Sequence, residues 1–251
     1  MHMEEHHWYS PQLDREMRLK LYGHWGDPLI VFPCSRGRYF DYEGMGMTDA
    51  IAGFIDAGKI KLFCVDGIDG ETWYDFSISP SERNARHGAY ERYILGEVVP
   101  FIRDQCRLPH VRVMTNGCSM GAFHALNFFL KHPDVFSGVI ALSGLYGLDR
   151  PEFGLSSADM QWVFYNSPLN YLPGLAIPWY LEQYRNSRII VCVGQGAWEQ
   201  EALEDTGRLR DILRTKNIPA WIDFWGPDVH HDWPWWYRQM TYFLGHLYGP
   251  V

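Results

Sequence analysis

The chain has 251 residues, 47% of them hydrophobic, enough to bury a large core and within the range of one α/β domain, expected here over residues 1–251. Its net charge of −8 and the lack of a basic run argue against a nucleic-acid partner, which would need clustered Lys and Arg. No apolar stretch approaches the ~18–20 residues of a membrane span, and the N-terminal MHMEEHHWYS lacks the layout of a secretory signal, so a cytoplasmic protein is expected.

Along the chain, short β-rich runs alternate with helical ones. REMRLKLYG (15–23) alternates polar and apolar residues and reads as an early, half-exposed strand. PLIVFPC (28–34), IKLFCVD (60–66), VRVMTNG (111–117), SGVIALSG (137–144), RIIVCVG (188–194) and AWIDFWG (220–226) are mostly apolar and bounded by Gly, Pro or charge, as strands buried on both faces are. Helical patterns cover 47–58, 91–106, 120–132, 199–217 and 233–247. Strand followed by helix, repeated, predicts a mainly parallel sheet with helices on both faces. Two segments break the rhythm. Residues 70–88 have the Ser, Pro and charge content of a surface loop, and 146–187, rich in Pro and aromatics, is expected to form a small lid with short helices of its own.

Residues 114–129, MTNGCSMGAFHALNFF, place Ser119 between Gly117 and Gly121 where a strand gives way to a helix. This GxSxG pattern allows the sharp turn that exposes a serine oxygen above a sheet. A serine hydroxyl is a weak nucleophile, so the chemistry requires a histidine base and a carboxylate to orient it. His230 and His231 lie in the loop before the final helix; His231, followed by Asp232 and Trp233, is the choice. After RIIVCVG come Glu199, Glu201, Glu204 and Asp205. Glu199 is nearest the strand end and is preferred, with Glu201 and Asp205 left open. The backbone N–H of Met120, just after the serine and at the head of a helix, is a natural oxyanion donor. Cys118 is a weaker rival nucleophile, outside the central position of the motif. The five cysteines, without a CxxC pair, read as free buried thiols of a reducing compartment.

These residues carry a resemblance. LIVFPCSRG, GCSMGAFHA, FYNSPLNYL, VGQGAWE and HHDWPWW, spread over residues 25–245, make the chain similar to the esterase D-type branch of the α/β-hydrolases, with its S-formylglutathione hydrolases, feruloyl esterases and mycolyltransferases. The resemblance implies an α/β-hydrolase fold and a triad in the order Ser119, Glu199, His231. It also implies a second oxyanion donor at the backbone N–H of Ser35, with Cys34 as the alternative. Ala122 replaces the usual last glycine of the elbow, and Glu replaces the commoner Asp at the acid position.

Hydrolysis of a small-molecule carboxylic ester is the expected activity; an acyltransferase with the same acyl-enzyme, or a non-catalytic binding protein, are the alternatives. Aromatics make up 16% of the chain, and Trp73, Trp162, Trp198 and Trp233 are candidate substrate walls, with Arg36 a candidate contact for an anionic group. His2, His6 and His7 have a spacing that could hold a metal on a helix, but they lie in a terminal segment expected to be mobile, so no metal is expected. GMGM at 44–47 lacks the spacing of a nucleotide loop, so no organic cofactor is expected. The sequence is compatible with a homo-oligomer.

Overall fold

The computed structural model describes residues 1–251. Eight strands form one sheet: β1 (Met3–Ser10), β2 (Arg15–Tyr22), β3 (Asp27–Phe32), β4 (Ile60–Val65), β5 (Val113–Cys118), β6 (Phe136–Leu142), β7 (Arg188–Val193) and β8 (Trp221–Phe224). Their order is β1-β2-β4-β3-β5-β6-β7-β8. β1 pairs antiparallel with β2, and β2 antiparallel with β4; every other pairing is parallel. The mainly parallel sheet predicted from the alternating pattern, and with it the α/β-hydrolase fold that the resemblance implies, is therefore present.

Strand periodicity divides the core in two. In β3, Ile30 and Phe32 join a cluster of 33 buried residues on one face, whereas Leu29 and Val31 join one of 21 on the other. The larger cluster holds α1 (Pro80–Tyr93), α2 (Val99–Cys106) and α3 (Met120–Lys131), together with apolar side chains of α4 (Pro178–Arg185) and α5 (Gln200–Thr215). The smaller is closed by α6 (Trp233–Tyr248) through Trp236, Met240, Phe243 and Leu244. Every residue of α3 from Met120 to Leu130 is buried, so this helix is held on all sides and gives a stiff base to whatever its first turn carries.

Four expectations change. The N-terminal segment is not mobile: it is the edge strand β1, and its Trp8 Nε1 and Ser10 Oγ each donate to Glu97 at 2.8 Å. Glu97 lies in a π-helical stretch, Ile94–Val98, that joins α1 to α2. Half of the expected surface loop at 70–88 is helix, because Ser79 caps α1 by accepting the N–H of Glu82 and Pro80 occupies the first turn. The Ser-x-x-Glu signature was there to be read. The helix expected at 47–58 is broken into two short turns, Met47–Ala50 and Ala52–Asp56, at Ile51. Residues 146–187 do carry short helices, but they pack down rather than cover. Leu148, Phe153 and Val163 join Trp73, Met120 and Phe123 in a small core, and Leu169, Leu172 and Tyr184 join the larger one.

The elbow depends on two close approaches. A Cβ at Gly117 would lie 2.2 Å from the Gly121 carbonyl carbon, and one at Gly121 would lie 2.3 Å from the Phe32 oxygen. Both obstacles are backbone, so neither can swing away. Gly121→Ala should therefore force β3 and α3 apart at about 1–3 kcal/mol, lowering the melting temperature by several degrees in a thermal scan. A second prediction concerns acid. Burial works against ionisation of Glu91, yet hydrogen bonds from His132 and Lys131, at the end of α3, hold its carboxyl down to about 2. A carboxyl lowered on folding stabilises the fold above its unfolded value, about 4.5, and this is lost as pH falls toward about 2. Melting temperature against pH should be flatter over that window in Glu91→Gln than in the parent.

Candidate active site

The parallel strands β5, β6, β7 and β8 end on one side of the sheet, and the loops that follow them bring together side chains distant in sequence. Ser119 sits between β5 and α3 with φ +56°, a backbone conformation that L-residues adopt only under constraint. Its N–H is held by the Leu142 carbonyl at 2.9 Å, and its Oγ lies 3.0 Å from His231 Nε2. His231 comes from the loop between β8 and α6. Its backbone N–H donates to the Ala197 carbonyl at 3.0 Å, and its ring meets Trp236 edge-on.

His231 Nδ1 lies 3.2 Å from Glu199 Oε2. Glu199 is wholly buried, and its other oxygen accepts the hydroxyl of Ser143 at 2.6 Å and the N–H of Gly194 at 3.3 Å. Ser143 in turn accepts the indole N–H of Trp236 at 3.0 Å. A buried carboxylate needs such partners, and each is fixed to the end of a strand or the first turns of α6. The competing carboxylates are otherwise placed: Asp205 accepts the N–H groups of Tyr146 and Gly147 and pairs with Arg150, while Glu201 faces the cavity described below. His230 accepts the Ala197 N–H at its Nδ1, 2.9 Å away, and so braces the loop that carries Glu199. Cys118 points into the core, where burial pushes its thiol far above the ordinary range, which keeps it protonated.

A cavity of about 520 Å³ opens above Ser119. Ser35, Tyr74, Met120, Leu145, Glu152, Trp198, Gln200, Glu201, Ala202 and His231 surround it. The Ser35 N–H donates to no protein acceptor, and the Met120 N–H is the first of α3, without an intrahelical partner. Two unspent donors thus belong to residues on the cavity that also holds the Ser119 oxygen.

The aromatic candidates separate. Trp198 lies on the cavity and is 85% exposed. Trp73 is 0% exposed and packed against His87 and Phe123. Trp162 stands on the outer surface away from the cavity, and Trp233 packs against Tyr42 and Trp236 beside the smaller core. Arg36 is not on the cavity either; its guanidinium stacks over the ring of Tyr74, 5.3 Å from the centroid, while Arg38 pairs with Asp66. Of the expected lid, only Glu152 reaches the cavity. Ser143, Leu145, Glu152 and Gln200 were missed in the sequence. Ser143 had a signal, a small polar residue directly after the apolar run of β6. His2, just before β1, and His6 within it flank Glu4 and both hydrogen-bond its carboxylate, so the segment is extended and not helical.

No helix is long and apolar enough to cross a membrane. Several solved structures share the fold. A ferulic acid esterase superposes with a TM-score of 0.76 at 18% identity, covering 98% of this chain and 97% of that one. Mycobacterium tuberculosis MPT51 (FbpC1) gives 0.75 at 14%, covering 100% and 99%, and the S-formylglutathione hydrolase FrmB of Staphylococcus aureus gives 0.69 at 16%, covering 98% and 96%. No curated protein matches the chain in sequence. The family model described as "Putative esterase" matches residues 34–247, most of the chain, and the protein belongs to that esterase family.

Proposed function

We propose that the chain, acting as one catalytic domain over residues 1–251, hydrolyses carboxylic esters through an acyl-enzyme on Ser119. The observation that carries this reading is the continuous run of contacts from Ser119 Oγ to His231 Nε2 at 3.0 Å and from His231 Nδ1 to Glu199 at 3.2 Å. Ser119 Oγ attacks the ester carbonyl while His231 Nε2 takes its proton. The carbonyl oxygen, now negative, is received by the N–H groups of Met120 and Ser35. When the intermediate collapses, the bond to the alcohol oxygen breaks and His231 returns the proton to that oxygen. Water then adds to the acyl-serine carbon, giving its proton to Nε2; the bond from that carbon to Ser119 Oγ breaks, Nε2 returns the proton to Oγ, and the acid is released. Glu199 accepts a hydrogen bond from the Nδ1–H, fixes the tautomer and balances the imidazolium that forms twice in the cycle.

The five unpaired cysteines suit a reducing compartment. Transfer of the acyl group to another alcohol would use the same first half-reaction, and the partition between alcohol product and free acid in the presence of added acceptors measures it directly.

Treatment with a fluorophosphonate, followed by intact-mass and peptide mapping, tests the nucleophile: one adduct on Ser119 is expected, absent in Ser119→Ala and strongly slowed in His231→Ala. Failure to label under conditions that label a control hydrolase would remove the catalytic reading. Glu199→Gln retains the size of the side chain but no longer holds the required tautomer, so kcat on a p-nitrophenyl ester should fall by about 10⁴-fold. A fall of less than about tenfold would show that another group orients His231.

A further inference from the structure

We propose that the cavity above Ser119 selects esters by charge, favouring an alcohol portion that carries a positive charge over a neutral or anionic one of the same shape. The inference rests on the ester-hydrolase reading above and names its substrate class.

Its starting point is the charge around a cavity already defined by the Ser119–His231 pair. Glu152 and Glu201 are its carboxylates, and neither Lys nor Arg is among the residues that surround it. Neither carboxylate is neutralised. Nearby acids are: Arg150 holds Glu204 and Asp205, and Arg38 holds Asp66, whereas Glu152 and Glu201 form no ion pair. Of the nearby cations, Arg36 is placed over the face of Tyr74, and Arg150, whose Nη2 lies 3.5 Å from the Glu201 carbonyl oxygen, is committed to Glu204 and Asp205.

Glu152 is also fixed. Tyr74 donates its hydroxyl to Glu152 Oε1 at 2.8 Å and lies 3.0 Å from Ser35 Oγ. A phenol has one proton, so Ser35 must donate to Tyr74 and Tyr74 to Glu152. This chain of donors runs toward the carboxylate and leaves its second oxygen free to accept.

Trp198 supplies the third element. It is 85% exposed, has no aromatic partner, and keeps φ +67°, a conformation that a bulky residue adopts only when the surrounding chain imposes it. An indole with open faces beside unpaired carboxylates is a favourable setting for a cation. The alcohol half is assigned to this wall because His231, which returns its proton to the departing alcohol oxygen, is tied through its backbone N–H to the Ala197 carbonyl at 3.0 Å, so the leaving group departs beside the loop that carries Trp198.

Three acetates of matched shape test this: those of choline, of 3,3-dimethylbutanol, which replaces the ammonium by carbon, and of 3-carboxy-3-methylbutanol, which carries a carboxylate. The values of kcat/KM should descend in that order, with choline ahead of its neutral twin by roughly threefold or more. Raising salt from about 0.02 to about 0.5 M should shrink that ratio, since charges open to solvent are screened. Glu152→Gln, Glu201→Gln and Trp198→Leu should each lower the choline-to-neutral ratio, read within each variant so that the amount of active protein cancels. Equal kcat/KM for the first two esters, or a preference indifferent to salt and to all three substitutions, would overturn the inference while leaving the hydrolase reading intact. Absence of turnover together with absence of fluorophosphonate labelling would overturn the hydrolase reading itself. Should labelling proceed but all three acetates turn over slowly, protection of Ser119 by tetramethylammonium and not by tert-butanol supports the inference, and equal protection overturns it.

Discussion

Glu199 carries an ionisable group into a place that water does not reach, and much of the neighbouring backbone is committed to keeping it satisfied. Leaving such a group unpaired would cost several kcal/mol. Its partners come from the ends of β6 and β7 and from the loop after β8, through Ser143, Gly194 and His231. Three neighbouring strands must therefore finish level with one another. The hydroxyl of Ser143 donates to Glu199 while accepting from Trp236, which ties the final helix to the same carboxylate. The position of the buried carboxylate is set by the ends of the strands, and the imidazole of His231 lies against what they fix.

Backbone strain is distributed accordingly. Seven residues other than glycine have positive φ, and four of them, Arg36, Ser119, Ser143 and Trp198, follow the ends of β3, β5, β6 and β7. Such conformations persist where the surroundings over-determine them and gather at functional sites. The carboxyl ends of parallel strands are where ligands meet open α/β sheets, because loops there can vary without disturbing the ladder. The glycines at 117 and 121 play the complementary part: they let α3 come close enough to β3 and β5 for the serine to stand clear.

The buried strands were legible because they are nearly continuous apolar runs, and the elbow because small residues around a serine have few other reasons to sit between a strand and a helix. β1 escaped because its period-2 pattern is carried by Glu, His and Tyr, which read as a polar tail when no neighbour is in view. Which tryptophan faces a cavity is a tertiary property. Trp73 and Trp198 have equally plausible sequence surroundings, yet the first packs against His87 and Phe123 while the second stands exposed on its own left-handed backbone. Ser143 was invisible as a partner of Glu199 because the pair is separated by 56 residues and meets only through the alignment of β6 with β7.

The two borders of the sheet are guarded in different ways. β8 is four residues long, too short to template another strand effectively, while β1 exposes alternate side chains that include Glu5 and His7 along an otherwise open edge. Short or charged margins discourage strand-to-strand growth between molecules. A protein in which 47% of residues are hydrophobic, and whose longest apolar strand runs are those of β3 and β7, thus keeps its aggregation-prone sequence inside the sheet and gives its borders to segments ill suited to recruit a neighbour.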